Sequence, residues 1–436
     1  MARPDLIDLR RAVYFSDLVD SAVRSAVGSI PIDELKEWRE RYAAYPALFD
    51  ERLQILDKDV RHWLSRPGFD EPASQGPGPV STDLFPFLSK AIDHPPASLS
   101  NIDALPFSLL WLPLVGCAAK QVFGRVSARV IGDSAREQLS YHLLKEICDT
   151  AAPSVYTLFD RARSRDISLK GFVDSVLAEG YARVLDSYPA LGRCIDTLLE
   201  QWIEQTALFC DRLNGDRERI ESILGRSPLS LEVTKISCGL SDRHAGTYGM
   251  LIQFSSGSKV LYKPKNMTLE SQLLAVNDWL GSTGSDLRFR FPACNGGTDY
   301  GWAEFVEQED CQTTAEVETF FYKSGALLCL AYLLNATDLQ YDNLIASRAD
   351  PVLVDLETFF YPEVRPFVIN RHPENSSVSI PRIERSILGI GFLTFWDNGG
   401  AHTNCDFSAI SGTGGQPNLF KTLKWMGVNA DEMRPA

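Results

Sequence analysis

The chain has 436 residues, 44% of them hydrophobic, which is enough to bury a large core and form about two to four domains. Its net charge of -14 and pI near 5.0 argue against nucleic-acid binding, because phosphate contacts need clustered Lys and Arg side chains. The nine scattered cysteines form no C-x-x-C pair and have no histidine at zinc spacing, which favours a reduced, cytoplasmic compartment.

The sequence predicts no targeting or transmembrane segment. Its first residues, MARPDLIDLRR, carry charge where a signal peptide needs an apolar core. The longest apolar run, residues 105–119, contains Pro106 and Pro113 and is shorter than the ~18 to 20 residues needed to cross a bilayer. We therefore predict that this run is buried core.

Helices are predicted to dominate the first half of the chain. Residues 1–95 form an N-terminal helical region with a Pro/Gly-rich linker near residues 66–81. A second helical region follows over residues 96–226. Within it, a helix that begins near Asp133 should bury the face formed by Leu139, Leu143, Leu144 and Cys148.

The pattern changes near residue 227 to short strands mixed with helices. Two strands, residues 248–254 and 259–264, are joined by a predicted turn at Ser256-Gly257. A helix at 268–281, a strand at 300–308 and a helix at 316–334 follow. The last helix is predicted to bury Val317, Phe320, Phe321, Leu327, Leu328, Ala331 and Leu334. This order is typical of an α+β fold rather than a doubly wound sheet.

Asp338, Asn343 and Asp355 form the most informative spacing in the sequence. A D-x-x-x-x-N loop followed by a hairpin and an acid at a strand end is the protein-kinase-like arrangement for phosphoryl transfer. In it, Asp338 would orient an attacking hydroxyl, and Asn343 and Asp355 would offer oxygen ligands to Mg²⁺. Taken alone, the spacing arises by chance, and turn capping is then the simpler interpretation.

Lys263 and Glu270 extend the same hypothesis upstream. Lys263 ends a strand, where a kinase-like site needs a cation for the nonreacting phosphates. Glu270 lies on the next helix and is the candidate partner of Lys263. The alternative is a solvated glutamate in the first turn, which the helix dipole would favour.

A further strand is predicted over residues 229–237, and the loop between it and the strand at 248–254, GLSDRHAGTYGM, contains Asp242 and His244. It lies where a phosphate-covering loop belongs, but its glycines do not form G-x-G-x-x-G. A histidine beside phosphates can act as an acid, a base or a hydrogen-bond donor. An incidental pair of surface residues is the competing interpretation.

With these residues assembled, the chain resembles the dehydratase domain of class II lanthipeptide synthetases. The resemblance is carried by PFSLLWLPLV, SDRHAG, FSSGSKVLYKP, YGWAEFV, NATDLQYDNLIA, PVLVDLETFF and, more weakly, NADEM. These segments follow the family order from about Pro106 to the last residues. The resemblance implies a two-lobed, lipid-kinase-like or protein-kinase-like core over residues 227–436.

The resemblance also implies an activity and its cofactors. Such domains use ATP and Mg²⁺ to phosphorylate Ser and Thr of a ribosomal precursor peptide, which consists of a leader and a Ser/Thr-rich core. They then eliminate the phosphate to leave dehydroalanine or dehydrobutyrine. By position, Lys263 would hold phosphates and Asp338 would activate the peptide hydroxyl. Asn343 and Asp355 would bind Mg²⁺, and Asp242 and His244 would serve mainly elimination.

Three departures from the family pattern keep other functions open. Gln340 stands where the family usually has histidine, and an amide can hydrogen-bond but cannot carry a proton. The segment after His244 lacks an expected basic residue. The sequence stops at Ala436, before the remaining dehydratase residues and the zinc cyclase domain, so we expect an incomplete C-terminal part. The alternatives are a fragment that binds or only phosphorylates the peptide, and a small-molecule kinase.

Overall fold

The computed structural model describes residues 99–124, 126, 130–225, 232–240, 246–284, 288–361, 386–394, 396–399, 403–406, 408–411 and 423–436. The predicted region 1–95 and its linker at 66–81 lie outside these residues. The chain forms two compact units. The described part of the first comes from 99–124, 140–204 and 424–436, and the second comes from 126–139 and 205–423.

The described residues form eight α-helices and eleven strands. The helices are α1 (Ser108–Phe123), α2 (Asp133–Arg163), α3 (Leu169–Ala178), α4 (Ala182–Ser187), α5 (Pro189–Gly215), α6 (Arg217–Leu224), α7 (Thr268–Ser282) and α8 (Thr314–Leu333). The strands are β1 (Val233–Cys238), β2 (Met250–Phe254), β3 (Lys259–Lys263), β4 (Cys294–Gly296), β5 (Gly301–Glu304), β6 (Leu344–Ser347), β7 (Asp350–Leu353), β8 (Trp396–Gly399), β9 (Thr403–Asp406), β10 (Trp425–Met426) and β11 (Arg434–Pro435). None of the described helices is long and apolar enough to cross a bilayer.

The first unit has an aromatic core. Phe107, Phe159 and Phe172 are buried and approach one another with ring centroids 5.7 to 6.5 Å apart. Trp111 stacks on Tyr181, whose hydroxyl donates to the carbonyl of Leu110 at 2.8 Å. The apolar run at 105–119 largely falls in α1, and most of its large side chains are buried, so the prediction of buried core is confirmed.

The C-terminal segment folds into the first unit. Asn429 accepts a hydrogen bond from the backbone of Phe107 and donates to the carbonyl of Leu105, both at 2.8 Å. Asp431 accepts a hydrogen bond from the backbone nitrogen of Leu169 at the start of α3. Met433, which follows in the same segment, is fully buried. The weakly matching NADEM segment is therefore attached to this unit through Asn429 and Asp431 and contributes Met433 to its core.

The second unit contains a five-stranded antiparallel sheet with strand order β1-β2-β3-β5-β4. The predicted turn between β2 and β3 is confirmed: Gly257 has a φ of +82°, which glycine adopts without strain, and donates to Phe254 O at 2.9 Å. At the first residue of β1, Val233 donates to Val130 O at 3.1 Å and accepts from Gly132 N at 2.9 Å. The outer edge of the sheet is therefore paired at the start of β1.

Alternation along β3 separates a buried side from a polar side. Val260 and Tyr262 are buried, and Tyr262 packs against Phe209 of α5 with centroids 5.2 Å apart. Lys263 is next in sequence and therefore projects from the opposite face of the strand. The sheet thus presents this lysine on the face that the helix α7 crosses.

The start of α7 lies directly over β4 and β5. Met267 is fully buried, and a Cβ at Gly296 or Gly301 would come within 2.4 Å of its side chain. Gly301 is paired with Lys263 in the sheet register. The two glycines therefore let α7 pack closely on the same face that carries Lys263.

Helix α8 occupies the predicted place but buries fewer residues than predicted. Leu327, Leu328 and Ala331 are buried as expected, whereas Val317 and Phe321 are 40% and 57% exposed, so the prediction for these two is wrong. The core against which α8 packs is built around its C-terminal half. That core consists of Leu273, Phe289, Phe291, Leu327, Leu328, Leu330, Ala331, Ala336, Leu339, Leu353, Leu356, Phe359, Ile390 and Phe392.

Candidate functional site

Two lysines at the end of β3 meet the segment that follows β7. The ammonium group of Lys263 donates to Val354 O at 2.9 Å and lies 3.9 Å from the carboxylate of Asp355. Lys265 comes closer to that carboxylate, at 2.9 Å, and also contacts Glu357. The strand-end acid is therefore paired mainly with the second lysine.

The β6–β7 hairpin sets the position of Asp355. Leu344 pairs with Leu353, and the backbone nitrogen of Val354 donates to Asn343 O at 3.0 Å. Leu353 and Leu356 are both buried in the core on either side of the Val354–Asp355 segment. Burial of the leucines and pairing of the hairpin thus hold Val354 opposite Asn343, with Asp355 as the next residue.

The loop that contains Asp338 is joined to the same hairpin. Asp338 has a φ of +58°, which is uncommon for residues other than glycine and recurs at functional sites. Its carbonyl accepts a hydrogen bond from the amide nitrogen of Asn343 at 3.0 Å, and its carboxylate accepts one from the amide of Gln340. Leu339 anchors the loop, because it is fully buried and donates to Ile390 O at 2.8 Å.

The charges of the site shift one another's titration. Burial lowers the pKa of Lys263, although the charge of Asp355 acts in the opposite direction. Burial also disfavours the charged form of Lys265, but the carboxylates of Asp355 and Glu357 outweigh it and raise its pKa. The two lysines therefore differ: Lys265 is the more firmly held cation.

Glu270, in the first turn of α7, is 3% exposed, which rules out the solvated-glutamate interpretation. Neither of its carboxylate oxygens has a hydrogen-bond partner in another of the described residues, and the lysine within 4.0 Å is Lys265. Burial raises the pKa of Glu270, and the two lysines partly oppose this shift. Glu270 is thus a buried acid beside the site, with an incomplete set of partners.

The structure brings most of the predicted site residues together. Asp338, Gln340 and Asn343 are joined by hydrogen bonds, and the backbone of Val354 links Asn343 to Lys263, which lies 3.9 Å from Asp355. Glu270 lies next to Lys265. Asp242 and His244 lie outside the described residues.

Sequence reasoning did not assign roles to Lys265 and Glu357. The signal was present, because each is two residues beyond a predicted site residue, in K-x-K and D-x-E spacing. In extended backbone, residues two apart share a face. Applied to Lys263 and Asp355, that rule would have drawn both residues into the site.

The donor set near Asp355 is compatible with Mg²⁺ bound together with phosphate. The side-chain amide nitrogen of Asn343 donates a hydrogen bond to Asp338 O, so its side-chain oxygen is available to bind a cation. In the described part of the chain, no three His, Cys, Asp or Glu side chains converge as a metal-binding group. One carboxylate and one amide fit Mg²⁺ because this ion usually completes its octahedron with substrate phosphates and water.

Comparison with known proteins gives the chain a family. A profile described as a domain of unknown function, DUF4135, matches residues 188–436, which is more than half of the chain, and the protein belongs to this family. The chain is also similar to the lacticin 481/lactococcin biosynthesis protein LcnDR2 of Lactococcus lactis subsp. lactis. The two are 29% identical over 144 residues, which is 31% of this chain but 15% of the relative's length.

Proposed function

We propose that this protein is a lanthipeptide biosynthesis enzyme with a kinase-like core that phosphorylates Ser and Thr of a precursor peptide and then eliminates the phosphate. The observation that carries the proposal is the connected network of Lys263, Asp338, Asn343 and Asp355. The similarity to a lacticin biosynthesis protein supports the peptide substrate.

The residues of the network suit the separate tasks of phosphoryl transfer. Asp338 accepts the proton as the peptide hydroxyl oxygen forms its bond to the γ-phosphorus and the bond to the departing ADP oxygen breaks. Lys263 holds the nonreacting phosphates as a cation. Asn343 and Asp355 would hold Mg²⁺, which supplies neutralisation of phosphate charge when bound.

The direct test is incubation of the protein with ATP, Mg²⁺ and a lanthipeptide precursor, followed by mass spectrometry. We expect a mass gain of one phosphate or the loss of one water for each modified residue. Asp355→Asn should reduce either product by roughly a hundredfold or more, the scale of removing one preorganised electrostatic group. A wild-type protein that binds nucleotide but yields neither product would contradict the proposal.

Asp350→Asn is the matched control for Asp355→Asn. Asp350 lies on the same hairpin and pairs with Lys323 on α8 rather than with the β3 lysines. Like Asp355→Asn, this substitution removes one negative charge and replaces one carboxylate oxygen with an amide nitrogen. We expect the product yield of Asp350→Asn to stay within about threefold of wild type once both proteins are shown to be folded.

Phosphorylation without elimination is the second candidate function. Gln340 favours it, because its amide donates a hydrogen bond to Asp338 but cannot act as a general acid or base. The same mass spectra separate the two functions: accumulation of phosphopeptide with no loss of water identifies a kinase. Phosphate transfer to a sugar or another small molecule, with none on the peptide, would instead identify a small-molecule kinase.

A further inference from the structure

Lys265 holds the carboxylate that the proposed function assigns to Mg²⁺. Its ammonium nitrogen is 2.9 Å from Asp355 Oδ1 and also bonds Glu357. Lys263 is 3.9 Å from the same oxygen and has a backbone carbonyl as its hydrogen-bond acceptor. A divalent ion bound at Asp355 would therefore meet the charge of Lys265 before that of any other described lysine in this network.

Glu270 offers that ammonium group a second position. It lies 4.0 Å from the Lys265 nitrogen, its side chain is 4% exposed, and among the residues that the structure describes neither oxygen has a hydrogen-bond partner outside Glu270 itself. A buried carboxylate without a donor is costly, and a lysine that moved to it would satisfy it. One lysine thus has an occupied acceptor on one side and an unsatisfied acceptor on the other.

We propose that Lys265 is a positioning residue that exchanges between Asp355 and Glu270. Without metal it neutralises Asp355 and Glu357; when metal and nucleotide bind, it transfers to Glu270 and leaves Asp355 to the metal. This inference rests on the proposed function, because it takes Asp355 to be the metal ligand. It assigns Glu270 to Lys265 as the acceptor that makes the exchange possible.

The test is Mn²⁺ affinity, measured by calorimetry in the presence of a nonhydrolysable ATP analogue, across a double-mutant cycle of Lys265→Met and Glu270→Gln. Removing the competing cation should tighten Mn²⁺ binding roughly three- to tenfold, and Glu270→Gln alone should weaken it by a similar factor. In the Lys265→Met background, Glu270→Gln should change the affinity less than about twofold, because no lysine remains to be accepted.

The cycle distinguishes exchange from a simple loss of negative charge. If Glu270→Gln weakens Mn²⁺ equally in both backgrounds, or if Lys265→Met weakens binding, the exchange is wrong while the proposed function stands. If the wild-type protein binds no Mn²⁺ with the analogue, Asp355 is not its ligand and both proposals fall. Lys259→Met is the control, because Lys259 lies on β3, which leads into Lys265, but pairs with Glu307.

Thermal stability of Glu270→Gln gives an answer even if Lys265→Met does not fold. In the metal-free protein no other described residue donates a hydrogen bond to Glu270, so its neutral substitute should not lower the melting temperature. With Mn²⁺ and the analogue bound, the exchange predicts that Glu270 is paired, and the variant should melt several degrees below wild type. An equal effect of the substitution in both states would overturn the proposal.

Discussion

At the residue scale, Gln340 bears most directly on the chemistry. Its side-chain amide donates a hydrogen bond to the carboxylate of Asp338, and its backbone nitrogen donates one to Asp338 O at 3.0 Å. The residue therefore fixes both the side chain and the turn of the proposed hydroxyl-activating loop. Sequence identified Gln340 as a departure from the family pattern, and the structure adds the contact that defines its effect.

Substitution of Gln340 tests that contact. Gln340→Ala should lower the rate of phosphoryl transfer roughly tenfold or more, because the Asp338 carboxylate loses its orienting donor. Gln340→His should retain the rate and add a titration step near pH ~6.5, the ordinary histidine pKa. Initial rates of phosphopeptide formation across pH measure both effects.

Asp342→Asn is the control for this series, since Asp342 lies exposed in the same turn. Its rate should remain close to that of wild type. If Gln340→Ala is as fast as Asp342→Asn, Gln340 does not position Asp338 and the amide contact has no catalytic consequence.

At the element scale, a polar cluster attaches α6 to the sheet. Asp216 at the start of α6 accepts hydrogen bonds from the indole of Trp302 at 2.8 Å and from Arg219 at 3.1 Å. The guanidinium groups of Arg212 and Arg219 lie over the ring of Tyr300 in cation–π contacts. Burial alone would raise the pKa of Asp216, but the bonds from Trp302, Tyr300 and Arg219 outweigh it and lower the pKa.

Asp216→Asn should destabilise the second unit at neutral pH by about 1 to 3 kcal/mol, because bonds from a charged acceptor are lost. A carboxyl with a lowered folded-state pKa stabilises the fold above its ordinary pKa of ~3.9, and this contribution is lost as the pH falls through the lowered value. The difference in the free energy of unfolding between wild type and Asp216→Asn should therefore become smaller as the pH falls. Urea titrations over a pH series measure this difference.

Exposed Asp211 on α5 supplies the comparison for Asp216. Asp211→Asn should change the free energy of unfolding by less than about 0.5 kcal/mol, as surface substitutions usually do. If the loss of unfolding free energy in Asp216→Asn does not depend on pH, or if Asp211→Asn loses as much, the charge of Asp216 does not hold α6 on the sheet.

The local sequence pattern predicted which helices, strands and turns form in the second unit better than it predicted the burial and the partners of their side chains. The β2–β3 turn, α7, β5 and α8 depend on nearby residues, so spacing and turn chemistry were sufficient to find them. The exposure of Val317 and Phe321 was missed because periodicity shows which residues share a face, not how far the core extends along the helix. The pairing of Lys265 with Asp355 was missed because a role was given only to Lys263 at the strand end and not to the lysine two residues further on.

At the scale of the whole molecule, neither unit is continuous in sequence. The first recruits residues 424–436 from the far end of the chain, and the second includes residues 126–139. The predicted boundary at 226/227 followed a change in local pattern, whereas the compact units divide at 204/205, within α5. Such long-range recruitment depends on side-chain contacts like those of Asn429, which composition does not reveal.

Asn429 provides the test of this arrangement. Its amide nitrogen donates to Leu105 O at 2.8 Å and faces two further oxygens, of Asp103 and Ser108, at 3.2 and 3.3 Å. Asn429→Asp keeps the shape but makes the contacts with the carbonyl oxygens of Leu105 and Asp103 repulsive, which should destabilise the first unit by about 2 to 3 kcal/mol. Hydrogen-exchange mass spectrometry should show faster exchange in α1 and unchanged exchange in the β2–β3 hairpin.

Asn266→Asp makes the same chemical change where it should be harmless. The side-chain oxygen of Asn266 accepts a hydrogen bond from the backbone nitrogen of Thr268 at the start of α7, and a carboxylate accepts equally well there. We therefore expect Asn266→Asp to leave exchange in α1 at the wild-type rate. If Asn429→Asp also leaves α1 unchanged, or speeds exchange in β2–β3 to the same extent, the C-terminal segment is not what stabilises the first unit.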